Sequence, residues 1–472
     1  MKKVLIFSLF LLAAVSVFGQ SEQRYYKGAL FDEEAYNKLP RKAALATRAY
    51  EGLPKAFSLK QFAPLPGDQT NYGTCVAWAS AYAARTISES VALNRRNQTE
   101  TTQNVFSPVY VYRNIRPDDP ECQRGAQIFD ALDLMRDSGA VRMLEIERSM
   151  DFPRIDLAHY RESRRYPIGG YVTLFSREDK QKPALITRIV KKSLAEGKPV
   201  VIGMNTPDSF IEAKNVWEPT ENPARYYGGH AMCVVGYDDD KGAFELLNSW
   251  GRKWGNGGFM WVPYKAFVDF VMESYEMIEN LAIYSDTVKY EGFSRIEILG
   301  RGAPKAAALV LSPEGYYKTA ESFTEGTQFR FVVGAGESAY VYSFAVSRPA
   351  RDNNFYSPVL LFPQTGVSPL LNYRDSAVAL PSEDKSLALD AEAGMEFLIT
   401  LYSKQPLDIQ AVMRRFASAQ GTAQGTLGER LTAAVGSNPL LSISHNAQEA
   451  AFTATTDNPR AVAALVVAIE HK

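Results

Sequence analysis

Apolar residues recur at helical spacing through Val76, Ala79, Ala83 and Ile87 in an alanine-rich stretch, which predicts a helix over about 75–93. Ser107 to Ile115 predicts a second helix, with Pro108 in its first turn. Ile128, Phe129, Leu132 and Met135 share one face of a third, over Gln127–Arg136, with Gly139 placed to close it. Arg41 to Tyr50 is expected to be a further short helix. After Tyr166 the pattern changes. Tyr171–Phe175 and Val200–Met204 read as strands on either side of a helix over about 183–196, which Gly197-Lys198-Pro199 ends. Ala231–Tyr237 and Ala243–Ser249 flank Asp238-Asp239-Asp240-Lys241-Gly242, a turn signal, and predict a hairpin. A helical half followed by an antiparallel half implies an α+β domain with a cleft between the two.

Beyond residue 290 short apolar or alternating runs lie between Gly, Pro and Asp turns: Ala307–Leu311, Gln328–Val333, Ala339–Val346, Val359–Phe362, Ala377–Leu380 and Glu396–Leu401. That spacing predicts a β-sandwich-like domain. Leu407–Ala419 is expected to be helical, and Gln420–Gly428, rich in small residues, to be mobile. The expected organisation is an N-terminal arm or short pro-region at 21–52, the α+β domain at 53–290, and a β-rich accessory domain with a helical or mobile tail at 300–472. The arm is too short to resemble a large inhibitory pro-domain.

Met1-Lys2-Lys3, the apolar run Val4–Phe18 and the small residues leading to Gly19-Gln20 have the layout of a secretory signal peptide over 1–20. The expected location is therefore the periplasm, the cell surface or the extracellular space. The run is too short for a membrane span, and no later stretch approaches the necessary length. A content of 46% hydrophobic, 12% aromatic and 22% charged residues describes a folded globular protein, and a net charge of −1 gives no reason to expect nucleic acid as a partner. The 3 cysteines, Cys75, Cys122 and Cys233, leave at least one thiol unpaired.

Cys75 stands where the first helical pattern begins, after Gly73. A thiol there faces unpaired N–H groups and the positive end of the helix dipole, which favour thiolate. Gln69 is near enough to offer a neutral hydrogen-bond donor. By itself Cys75 reads more readily as a small buried core residue. Of the 4 histidines, His159, His445 and His471 have no such setting, with His159 expected on a loop. His230 follows Gly228-Gly229 and opens the hairpin. If Tyr237 pairs with Ala243, His230 faces Trp250, and Asn248 is a diagonal neighbour on the same face; a one-residue slip destroys that relation. A neutral Asn can hold one imidazole nitrogen and leave the other for a thiol, with Trp250 as a screen from water. No Cys or His near Cys122 or Cys233 has metal-ligand spacing, so no metal or other cofactor is expected.

Gln69…Gly73-Thr74-Cys75-Val76-Ala77-Trp78, Gly229-His230-Ala231 with Val234-Val235-Gly236-Tyr237, and Leu247-Asn248-Ser249-Trp250-Gly251…Gly257-Gly258-Phe259 resemble, in this order, the papain-like cysteine peptidases. The resemblance covers about 53–285 and implies a two-lobed fold that hydrolyses peptide bonds of a protein or peptide substrate. It implies Cys75 as nucleophile, His230 as base and acid, Asn248 as its orienter and Gln69 with the Cys75 N–H as oxyanion donors. Gly73, Gly229 and Trp250 are placed in the substrate-binding cleft. Tyr72 stands where the family often has a second Cys, so that disulfide is not expected, and Val76 replaces the usual Trp. An exopeptidase, a transpeptidase, a peptidoglycan amidase and a silent binding protein of the same fold remain alternatives. The C-terminal region resembles, more weakly, an uncharacterised β-rich domain of bacterial exported enzymes. A cell-surface ligand and a steadying role are both open for it.

Overall fold

The computed structural model describes residues 25–46, 50–145, 155–280, 287–351, 353–372, 376–418, 426–446 and 449–472. The signal peptide expected at 1–20 and most of Gln420–Gly428 lie outside them. The first predicted helix is a continuous run of Cys75–Ala77, Trp78–Arg85 and Thr86–Ala92, whose middle stretch has the wider π geometry. Its alanines let neighbouring elements approach closely, and residues 75–90 are buried. Pro108–Ile115 starts as predicted, with Ser107 Oγ accepting from the Tyr110 amide. Ile128–Asp137 ends before Gly139, whose φ of +77° glycine adopts without strain.

These helices pack against a sheet ordered Gly170–Thr173, Val271–Ile278, Val200–Asn205, Gly229–Asp238, Ala243–Leu247 and Phe259–Pro263, with Ala56–Ser58 paired on Gly229–Asp238. The hairpin register differs from the prediction at the turn, where Tyr237 pairs with Phe244 rather than Ala243. An irregularity between Val234 and Gly236 absorbs one residue, and Cys233 pairs with Leu247. A bulge of this kind restores the face relation that the slip removed. His230 consequently meets Trp250 after all, with ring centroids 4.3 Å apart.

The C-terminal region is built of two seven-stranded sheets. Its first strand, Val288–Ile298, pairs with Gln328–Ala335, so this unit begins ahead of the expected residue 300. Side-chain alternation in Ala339–Pro349 shows how the layers form. Ala339 and Val341 enter the core shared by both sheets, whereas Tyr342, Phe344 and Val346 face the helices Ile409–Ser418 and Leu427–Val435. Thr426 caps the second of these helices, so the stretch expected to be mobile ends in regular structure. The expected helical or mobile tail instead finishes as Ala451–Thr456 and Val462–His471, the latter pairing along Gly394–Ser403.

Of the helix predicted over Arg41–Tyr50, residues 47–49 lie outside the described ones, and Arg41–Ala46 is not helical. The short helix here is Glu33–Lys38, with Asp32 as its N-cap, acidic residues in its first turn and Lys38 in its last. Arg41–Ala46 is extended because its backbone groups bond outward. The Lys42 amide donates to Thr173 O, that of Arg41 to Gly366 O and that of Ala46 to Ala377 O. This segment lies between the two units. Beneath it, buried Glu276 accepts from Lys42 Nζ (2.5 Å), Ser193 Oγ (2.6 Å) and Asn372 Nδ2 (2.7 Å). Burial pushes the Glu276 carboxyl up, but Lys42 and Lys198 outweigh it and hold the group at about 2. Glu276→Ala removes the carboxylate that Lys42 and Asn372 share, an expected loss of about 3–5 kcal/mol. Denaturant titration checks this, and an unchanged midpoint counts against it. Because the folded-state value is depressed, the carboxylate's stabilisation is complete above the ordinary glutamate range and lost as pH falls toward 2.

Candidate active site

The antiparallel sheet carries His230 and Asn248, and the start of the long helix carries Cys75. Each is buried. His230 Nε2 lies 2.7 Å from Asn248 Oδ1, which also accepts from the Ser249 amide at 2.8 Å. With both contacts on one oxygen, the Asn248 side chain is fixed. The other imidazole nitrogen, Nδ1, is buried without a hydrogen-bond partner. Cys75 Sγ accepts from the amide of Ala231, next in sequence to His230, at 3.4 Å. The thiol therefore lies against the strand that carries His230, where helix and sheet touch. Trp250 stacks on the His230 ring with 23° between planes, the screen the sequence predicts.

Gln69 reaches the same place by backbone pairing. Its amide donates to Ser249 O, and Gly251 N donates to Gly67 O, so 67–69 runs beside 249–251. Ser249 Oγ donates to Gln69 Oε1 at 2.6 Å, which leaves Nε2 to donate to Tyr72 O at 2.7 Å and to one further acceptor. Thr74 supplies no side-chain cap, so the first amides of the helix beginning at Cys75 carry no capping side chain.

Residues 25–31 cross this cleft as a strap. Tyr26 O accepts from Gln69 Nε2 and from Trp250 Nε1, each at 3.1 Å, and Tyr25 stacks on Trp250. The Gly28 backbone lies close enough to the Cys75 thiol to oppose its upward shift. Further along, Ala29 N donates to Gly229 O at 3.0 Å, Leu30 N to Ala126 O at 2.9 Å, and Ala126 N to Gly28 O at 2.9 Å. Space for this backbone comes from missing side chains. A Cβ on Gly229 would lie 2.0 Å from Ala29 O, and one on Gly28 would lie 2.0 Å from Gly73 O. Thus Gly73, Gly229 and Trp250, the residues assigned to the cleft from sequence, all touch the strap.

Covering the site changes its electrostatics. Burial pushes the Cys75 thiol up to about 11, against backbone hydrogen bonds from Ala231, Gly28 and Val76. Burial also pulls the His230 imidazole down to about 3, opposed by Asn248 and assisted by the charge of Lys27. In this state desolvation outweighs the helix-start effect expected to favour thiolate, and both groups are neutral. The other histidines lie elsewhere. His159 is on a helix, Leu157–Ser163, rather than a loop, and its Nδ1 accepts from the Asp156 amide.

Sequence reading missed Ser249 as the group that orients Gln69, although it sits beside Asn248 in the quoted motif. It also missed the strap. Gly28 in an otherwise bulky Tyr25-Tyr26-Lys27 context is the available signal, but the sequence shows no partner surface for it. Cys122 and Cys233 are buried free thiols. Among the described residues, no group of His, Cys, Asp or Glu is arranged to hold a metal ion, and no helix is long and apolar enough to cross a membrane.

Residues 66–277 match the papain family cysteine protease family. An uncharacterized peptidase C1-like protein of Acanthamoeba polyphaga mimivirus is 28% identical over 265 residues, covering 51% of this chain and 78% of that protein. A cysteine protease of Blomia tropicalis is 25% identical over 227 residues, covering 45% of this chain and 62% of that protein. Among solved structures, xylellain, a cysteine protease from Xylella fastidiosa, aligns with a TM-score of 0.42 and 22% identity, over 54% of this chain and 95% of that one. Residues 66–277 therefore form a papain-family cysteine protease domain, a peptidase of the hydrolase class set within a longer chain.

Proposed function

We propose that the protein is an exported cysteine peptidase, produced with its own residues 25–31 in the cleft. One observation carries the catalytic reading: His230 is held on Nε2 by Asn248 and left open on Nδ1, with Cys75 Sγ against the adjoining backbone. Once water replaces the strap, the desolvation that keeps thiol and imidazole neutral is relieved. His230 then takes the Cys75 proton, and the thiolate attacks a peptide carbonyl carbon. Gln69 Nε2 and the Cys75 amide stabilise the resulting oxyanion. The C–N bond breaks as His230 protonates the leaving amine. Water, deprotonated by His230, cleaves the thioester to release the carboxylic acid and restore the thiol. Asn248 keeps the imidazole oriented through both halves.

The strap lies in the cleft where a bound peptide would lie. The Gly28 carbonyl is engaged by the Ala126 amide, and the Tyr26 carbonyl by Gln69 and Trp250. The C-terminal unit supports the arrangement by gripping Arg41–Ala46, downstream of the strap. This favours a steadying role for it over capture of a cell-surface ligand. The test is to treat the purified protein, before and after strap displacement, with an irreversible thiol-directed peptidyl epoxide and to map adducts by mass spectrometry. Labelling at Cys75 that disappears in His230→Ala is expected. Equal labelling of Cys122 and Cys233, with no turnover of a peptide library, would sink the reading.

A further inference from the structure

Lys27 is the one strap residue whose side chain ends in a ready-made polar site. Its Nζ donates to Thr206 O at 2.5 Å and to Tyr227 O at 3.3 Å, and it lies 3.4 Å from Asp208 Oδ1. The lysine side chain is 18% exposed, while that of Asp208 is 94% exposed and free to meet an incoming cation. The stem runs over Gly228, where a Cβ would approach Lys27 Cδ to 3.1 Å, at a φ of +118° that other residues rarely adopt.

The walls are braced independently of the strap. Asn205 Oδ1 accepts from the Tyr227 amide at 2.7 Å, and its Nδ2 donates to Arg225 O at 2.6 Å. Thr206 N donates to Gly228 O at 2.9 Å and Thr206 Oγ1 to Met204 O at 3.1 Å. Two carbonyls thus face one point from fixed positions, with a carboxylate beside them. Backbone carbonyls accept but cannot donate, so the site suits a primary ammonium and disfavours a carboxylate. It sits in the cleft itself, because Gly228 leads directly into Gly229 and His230, and Lys27 lies between the residue bonded to Gln69 and the one bonded to Cys75.

We infer that this ammonium pocket is a substrate subsite, that the enzyme prefers peptides with lysine at one position next to the scissile bond, and that Asp208 is its specificity-determining residue. The inference rests on the peptidase reading. The strap occupies the pocket with the same side chain that substrates place there after it leaves. A neutral side chain of similar length, such as methionine, fills the channel over Gly228 but leaves the carbonyls and Asp208 without a cation. Hydrogen bonds to a charged group support a preference of about 10-fold for lysine over methionine.

The experiment uses the full chain carrying Gly28→Val to displace the strap, with iodoacetamide alkylation of Cys75 as an independent report that the cleft is open. Otherwise identical peptides bearing Lys, Met or Glu are scanned through the positions flanking the cut, and kcat/KM ratios are compared. At one position a Lys:Met ratio of about 10 is expected. It should fall toward unity in Asp208→Asn, and Asp208→Lys should turn the Lys:Glu preference around. Equal cleavage of Lys and Met peptides at every position overturns the pocket while leaving the peptidase intact. So does a lysine preference that survives both Asp208 substitutions. If an alkylatable Cys75 accompanies hydrolysis of none of the peptides, the peptidase reading falls and the pocket falls with it.

Discussion

Replacing Cys75 by alanine in the strap-displaced protein is expected to lower peptide turnover by on the order of a million-fold, to the level of the uncatalysed background. The size follows from the site. The Cys75 sulfur lies at the junction of helix and sheet, while the neighbouring Ser249 Oγ is spent on Gln69. His230→Ala should cost a similar amount, because without its open Nδ1 nothing there accepts the thiol proton. The two losses should not add, as nucleophile and base act as one unit. Gln69→Ala, which removes a single oxyanion donor, should cost only about 100- to 1000-fold and fall on kcat. Initial rates for the four proteins on one peptide decide the matter. A Cys75→Ala protein retaining a hundredth of the activity would exclude this residue as the nucleophile.

The second large effect is release of the strap. Gly28→Val should raise both peptide turnover and Cys75 alkylation, by about 100-fold if the docked strap covers about 99% of molecules. A side chain at position 28 has nowhere to go, since even its Cβ would stand 2.0 Å from the Gly73 carbonyl oxygen, a backbone atom that cannot turn aside. The rest of the arm remains fastened by Glu33–Lys38 and Arg41–Ala46, so the expected change is local opening with the fold retained. The pH dependence supplies a second signature. With the strap docked, burial holds the thiol high, so alkylation climbs with pH toward about 11. In Gly28→Val the rise should come at lower pH, because water re-enters and the helix N-terminus and His230 favour thiolate again. Identical alkylation profiles for the two proteins, with unchanged turnover, would contradict the latent state.

The same structure explains why one N-terminal segment serves two purposes. Its first part, residues 25–31, fills the cleft, and its later part, Arg41–Ala46, is gripped between the peptidase domain and the C-terminal sandwich. Ala43 and Leu45 are buried in the sandwich core, so loosening the strap does not by itself detach the arm. Lasting activation then calls for cutting the chain between the two attachments, whereas a substitution in the strap shifts an equilibrium.

Most of the helices and strands, and the nearness of His230 to Asn248, were legible in the chain because each depends on local pattern or on short-range spacing. Ser107 and Pro108 fix a helix start whatever lies nearby, and the alternation of Ala339–Val346 specifies a strand with two distinct faces. Cys75 at a helix start and His230 and Asn248 on one hairpin are likewise consequences of sequence order. What the chain by itself left undecided were relations between segments far apart. The true pairing of Tyr237 with Phe244, and the irregularity that brings His230 back to Trp250, depend on how the hairpin packs in its sheet. Arg41–Ala46 lost its predicted helix because three separate segments compete for its backbone groups. The filled cleft exists only because residues 25–31 fold back over a surface more than forty positions downstream. Local propensity has no knowledge of that surface, and burial by it reverses the charge state that a helix start alone would favour.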